Sequence, residues 1–174
     1  SLLRGAKVKA SVGTSKEARQ ALDENAETCW VVELVGDLFA LTQGTPSVDA
    51  HVSLVLTLPE PIELKKLQTL QCTFAGGFAP VCVAVLAEVG TAPSWTELAS
   101  VYPRDGNQPQ AFPLATDKKT ETVSRLMLRL DGSTDGFGRI VVYELNILDS
   151  VQMESTRHQD QIANHTREHY DHDT

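Results

Sequence analysis

Between residues 51 and 148 the chain repeats one pattern: a short apolar or alternating run, then a break of proline, glycine, aspartate or asparagine. His51-Val-Ser-Leu-Val-Leu-Thr-Leu58 alternates in part and is rich in leucine and β-branched residues. It predicts a strand stopped by Pro59 and Pro61, which cannot donate to a sheet ladder. Leu64 to Phe74 predicts a second strand, with Leu67, Leu70, Cys72 and Phe74 on or near one face. Gly76-Gly77 supplies a tight turn, because positive φ carries no Cβ cost at glycine. Val81 to Val89 is nearly all apolar and predicts a strand buried on both faces. Further strands are predicted over Glu97–Tyr102, Gln110–Leu114, Val123–Leu130 and Arg139–Leu148. Short strands at this spacing, punctuated by turns, describe an all-β sandwich.

Helix is scarce. Ser15 predicts an N-cap for about two turns over Lys16–Leu22, where Glu17 and Ala18 are good helix formers. Residues 36–50 follow neither the helix nor the strand period and predict a loop; its length marks it as functional or as an insertion. From Val151 the character changes. His158, His165, His169 and His172 alternate with Glu154, Asp160, Glu168, Asp171 and Asp173, and apolar residues are sparse. Residues 1–150 therefore predict the domain, and residues 151–174 a polar tail, flexible or weakly helical.

A hydrophobic content of 41% is enough to build a core without disulfides or metals. The net charge of −8 excludes an electrostatic grip on nucleic acid or on an anionic membrane surface. No stretch approaches the roughly 18 apolar residues of a membrane span, and the N-terminus has no secretory apolar region. Cys29, Cys72 and Cys82 lie in apolar surroundings without any C-x-x-C pair. They predict buried thiols in a reducing compartment, cytoplasmic or nuclear. A Cys72–Cys82 disulfide is the alternative, and it leaves Cys29 over.

Four segments carry a resemblance: Leu22-Asp-Glu-Asn-Ala-Glu-Thr-Cys-Trp30, Gly76-Gly-Phe78, Tyr102-Pro-Arg-Asp105 with Gln110-Ala-Phe-Pro113, and Asp135-Gly-Phe-Gly-Arg-Ile-Val-Val-Tyr-Glu-Leu145. In this order they resemble the discoidin-type domains of the galactose-binding-like superfamily, which includes the coagulation-factor C domains. Within it they are most similar to a family of small animal proteins associated with an orphan nuclear receptor. The likeness spans roughly residues 8–148; the 31–50 segment is longer than the family's link, and the tail has no counterpart. It implies an eight-stranded jelly-roll-like sandwich, termini close together, and loops clustered at one end.

The Asp23–Thr28 turn gathers oxygen donors, the chemistry a hard calcium ion prefers. The resemblance implies a structural calcium held by Asp23, Thr28 and Glu144 with backbone carbonyls; the plain alternative is a turn capped by Asp23 or Asn25. No other cofactor is required. Asp135-Gly-Phe-Gly-Arg139 predicts a turn in which Phe137 plugs the sandwich end and Arg139 pairs with Asp135 or Asp131, or meets a ligand. Trp95, Phe39 and Tyr102 are the aromatics available to a sugar, and Trp30 is assigned to the core. The histidines of the tail form a metal-like cluster, with His165 and His169 one helical turn apart, but a solvated tail accounts for them.

No nucleophile elbow, phosphate-binding loop, zinc-protease motif or dinucleotide fingerprint is present, so the chain is read as non-catalytic. The expected function is a protein-interaction module, its contacts drawn from Leu38, Phe39 and Leu41 in the long loop together with Trp95 and Arg139. The resemblance implies a transcription regulator as partner. A carbohydrate- or glycolipid-binding module is the alternative.

Overall fold

The computed structural model describes residues 1–34, 50–90, 94–116 and 120–149. Within them lie nine strands: β1 Lys7–Ala10, β2 Trp30–Glu33, β3 His51–Glu63, β4 Thr69–Phe74, β5 Cys82–Glu88, β6 Trp95–Val101, β7 Gln110–Pro113, β8 Thr122–Asp131 and β9 Arg139–Leu148. They form a five-stranded sheet, β1-β3-β8-β5-β6, against a four-stranded sheet, β2-β9-β4-β7, with every pairing antiparallel. The fold is the expected all-β sandwich, with one strand more than the eight the resemblance implies. Leu2 N–H donates to Ile147 O (2.9 Å), so the start of the domain sits against the end of β9.

Alternation in the strands builds the core. Val52, Leu54, Leu56 and Leu58 of β3 face inward beside Leu126, Leu128 and Leu130 of β8. Opposite them stand Leu70, Cys72 and Phe74 of β4 and Ile140, Val142, Leu145 and Ile147 of β9. Trp30 closes one flank at 2% exposure, and burying a side chain of that size contributes about 3 kcal/mol or more. β5 is buried along its middle, as its unbroken apolar run predicts.

The structure corrects several details. β3 runs through Pro59 and Pro61 instead of stopping. Its register with β8 jumps from Thr57↔Arg125 to Ile62↔Val123, so the prolines sit in an exposed bulge where no ladder N–H is needed. The strand expected from Leu64 begins instead with a 3₁₀ turn, Leu64–Lys66. The helix is a single turn, Ser15–Ala18, followed by a 3₁₀ turn at Arg19–Ala21, and its cap is Thr14. Thr14 accepts from Glu17 N–H (3.2 Å) while Glu17 accepts from Thr14 N–H (3.1 Å), a closed capping box. Strands β1 and β2 were not predicted. Cys29, Cys72 and Cys82 are free thiols. The tail and the 36–49 part of the long loop lie outside the described residues.

Candidate functional site

The antiparallel register gathers the loops after β4, β6 and β8 at one end of the sandwich, where β3 begins beside the end of β8 and the start of β5. Three of the four resembling segments meet there, and side chains tie them together. Asp105 Oδ1 accepts from Gly77 N–H (2.8 Å) and from Thr134 Oγ1 (3.2 Å). Thr134 Oγ1 in turn accepts from Ala79 N–H (3.1 Å). Asn107 Oδ1 accepts from Gly76 N–H (2.6 Å), and the Gln110 amide bonds both the N–H and the C=O of Arg104. Gly77 takes φ +86°, which lets this turn close.

On this cross-bonded frame stand exposed apolar side chains, one from each loop: Val81 at 52%, Tyr102 at 70% and Phe137 at 80% exposure. Phe137 does not plug the sandwich. It sits between Gly136 and Gly138 in a tight turn whose backbone is fixed by Gly138 N–H donating to Asp135 O (3.0 Å), and the turn presents it to solvent. Phe78 near there is half-buried, with the Arg139 guanidinium 5.2 Å over its ring. Arg139 pairs with Asp135 and not Asp131: its Nε and its backbone N–H both reach Asp135 Oδ2 at 3.1 Å. Desolvation works against the charge on Asp135, but the Arg139 N–H and guanidinium and the Phe137 N–H outweigh it and hold the carboxyl below its ordinary range. Asp131 instead binds Arg129 at 2.9 Å.

Trp95 lies at the opposite end of β6 from Tyr102, half-buried, with Arg125 stacked 5.5 Å from its centroid. The structure therefore does not bring Trp95 and Arg139 to one site. Leu38, Phe39 and Leu41 lie outside the described residues, but their flanks converge on the same end. Leu34 N–H donates to Gly138 O (2.8 Å), and Gly132 N–H to Ala50 O (3.1 Å).

A cleft of about 340 Å³ opens nearby on the outer face of the four-stranded sheet. Thr73, Tyr143 and Glu144 form its floor, Glu24–Ala26 one wall, and Asn107 with Pro109 the other. Sequence reading missed it because four separate segments supply its lining. Glu144 accepts a hydrogen bond from Asn146 Nδ2, and Asn146 Oδ1 is buried without a donor. The Asp23–Thr28 turn borders the cleft and is self-capped. Asp23 Oδ1 accepts from Asn25 N–H (3.0 Å), and Thr28 Oγ1 stands 2.7 Å from Asp23 Oδ2, 3.1 Å from Asn25 O and 3.3 Å from Gln20 O. These are oxygen donors of the kind a hard cation takes, and here they bond one another and the backbone of the turn. Among the described residues no group of three or more His, Cys, Asp and Glu side chains is placed to hold a metal, and Glu144 faces the cleft.

No protein-family profile matches the chain. Over 130 residues it is 31% identical to the mouse (Mus musculus) nuclear receptor 2C2-associated protein, covering 75% of this chain and 77% of the relative. The human (Homo sapiens) protein of the same description is 29% identical over 130 residues, 75% of this chain and 78% of that one. Among solved structures, a family 32 carbohydrate-binding module of Clostridium perfringens NanJ in complex with galactose superposes at a TM-score of 0.58, with 13% identity, over 84% of this chain and 95% of that one. An F5/8 type C domain from Bacteroides fragilis gives 0.59 at 13% identity, over 83% and 91%. At that identity the solved structures speak to the fold.

Proposed function

The chain belongs to the nuclear receptor 2C2-associated protein family, and from that premise we propose that it is a non-catalytic interaction module that docks a protein partner on the loop end of the sandwich. The observation that carries this reading is the exposure of Val81, Tyr102 and Phe137, one from each of three loops that are cross-bonded at the same end of the sandwich, its rim. Exposed aromatics on a rigid frame lose little side-chain entropy on binding, which is what an interface anchor requires. Leu38, Phe39 and Leu41 lie outside the described residues and stay candidate contacts on the sequence alone. The family's name couples its members to nuclear receptor 2C2, so the partner class proposed here is a nuclear receptor or another transcription regulator, met in the cytoplasm or nucleus. Of the ligand set that the resemblance implies, Asp23, Thr28 and Glu144, the turn's Asp23 and Thr28 with the carbonyls of Gln20 and Asn25 are proposed as a structural calcium site, Glu144 facing the cleft beside the turn.

Proximity labelling and pull-down with the native chain and the double variant Tyr102→Ser, Phe137→Ser test the docking surface. Both residues are exposed, so the variant should melt as the native chain does and yet lose its partners at least tenfold. Equal capture by the two proteins would sink the reading. A sugar-binding reading keeps one supporting observation, the two exposed aromatics Tyr102 and Phe137 beside polar groups at the loop end. Absence of binding on a glycan array and in calorimetry at millimolar saccharide removes it.

A further inference from the structure

We propose that the cleft on the outer face of the four-stranded sheet receives a basic side chain, lysine or arginine, presented by the partner protein. The proposal rests on the protein-interaction reading and adds the chemistry of one contact. The lining holds two carboxylates, Glu24 and Glu144, two amides, Asn25 and Asn107, and the Tyr143 ring, with no Lys, Arg or His among them. A volume of about 340 Å³ suits an extended side chain and part of its backbone.

Glu144 is the decisive group. The half-buried carboxylates Glu88, Asp131 and Asp135 each hold an arginine of this chain: Arg125, Arg129 and Arg139. Glu144, also half-buried, enters none of the ion pairs among the described residues; its hydrogen-bond partner is the neutral amide of Asn146. Beside it, Asn146 is 5% exposed and its Oδ1 has no donor. Asn146 lies behind the lining and not in it. The group the cleft itself presents is Glu144, a half-buried carboxylate with no cation beside it among the described residues, which a Lys or Arg head group would complement. The other carboxylate of the cleft shows what such a group does here. Glu24 Oε2 already holds the guanidinium of Arg4, with Nη2 at 2.7 Å and Nε at 3.2 Å. Tyr143 offers its ring to the cation, and Pro109 and Ala26 offer apolar contact to the methylene stem. The net charge of −8 favours the approach of a basic segment.

The test titrates the isotope-labelled full chain with the blocked tripeptide acetyl-Gly-Arg-Gly-amide and with its citrulline counterpart, which keeps the shape and lacks the charge. Backbone and side-chain amide shifts should change at Asn25, Asn107, Tyr143, Glu144 and Asn146 with the arginine peptide and stay still with citrulline. Glu144→Gln, nearly isosteric, should weaken the response roughly tenfold or more, and Tyr143→Leu should weaken it while leaving the charge in place. Equal shifts with both peptides, shifts on another surface, no shifts at millimolar peptide, or unchanged binding by Glu144→Gln would overturn the proposal. Partner capture separates it from the reading it rests on. If Tyr102→Ser, Phe137→Ser abolishes capture and Glu144→Gln does not, the module stands and the basic contact falls.

Discussion

Removing the Asp105 carboxylate should loosen three loops at once. Its Oδ1 accepts from Gly77 N–H at 2.8 Å and from Thr134 Oγ1 at 3.2 Å, joining the loop after β6 to those after β4 and β8. Hydrogen bonds to a charged acceptor contribute about 1.5–3 kcal/mol each when shielded. Asp105 and Gly77 are exposed, so water replaces part of both bonds in Asp105→Ala, and no buried donor is orphaned. Thr134 Oγ1 also keeps its bond from Ala79 N–H. The net loss is then roughly 1–2 kcal/mol, which for a domain of this size lowers the melting temperature by about 2–8 °C. Asp105→Asn keeps an acceptor at the same place and should lose less than half as much. Hydrogen exchange localises the effect: Gly77 should exchange faster in the alanine variant, and Gly76 with it, because its acceptor Asn107 rides on the same loop. A melting shift below about 1 °C, an asparagine variant as unstable as the alanine one, or unaltered exchange at Gly77 would refute the idea that this carboxylate organises the loop end.

Gly138 takes φ +79°, and a Cβ there would stand 3.3 Å from Leu34 O; Gly138→Ala should cost about 1–3 kcal/mol by denaturant melts. Gly136→Ala is its control, with open space and no positive φ, and should be neutral or slightly stabilising. Burial, aided by the Glu144 carboxylate, pushes the Cys72 thiol from 9.0 up to about 12. The stability that comes from keeping this thiol neutral is therefore complete below pH 9 and is lost as pH rises toward 12, so urea stability should fall between pH 8 and pH 11 and fall less in Cys72→Ala. The same thiol should resist alkylation in the folded chain and react once urea unfolds it. Millimolar calcium should raise the melting temperature and chelator should return it, while Thr28→Val abolishes the response; a native chain indifferent to both would remove the ion from the turn.

How much of this was legible depended on how many residues each feature uses. β9 was read with its observed limits, Arg139–Leu148, because ten residues in near-alternation follow a glycine-rich turn. β5 announced its burial by its unbroken apolar run. β1 and β2 are four residues each at sheet edges, too short to show a period, and Lys7 and Lys9 disguise the single buried Val8. The prolines of β3 misled because proline is excluded only where a ladder donor is required, and the bulge requires none. Thr14 and Glu17 spelled the capping box, but the neighbouring Ser15 competed for the same role. Of the site, the turn motifs were visible and their meeting was not. Asp105 finds Gly77 and Thr134 across about thirty residues in each direction, a contact set by antiparallel register.

The rim and the cleft share one piece of chain, and that bears on how a partner would be held. The segment from Tyr102 to Pro109 puts Tyr102 on the rim and Asn107 with Pro109 in the cleft wall, while Asp105 and Asn107 bind it to the Gly76-Gly77 turn. A protein seated on Tyr102 and Phe137 therefore stands close to the cleft, and a basic side chain entering toward Glu144 would add a charged contact to an apolar one. The two contributions differ in kind. In the proposed complex the rim would supply area that excludes water, which sets residence time, and the cleft would supply charge, which sets orientation and the rate of encounter. Loosening the shared segment should harm both. Asp105→Ala should accordingly weaken partner capture more than its modest loss of stability accounts for, and combining it with Phe137→Ser should cost less than the sum of the two single changes. Strict additivity would mean that the loops act independently, and the cross-bonded frame would then be only a structural feature of the sandwich end.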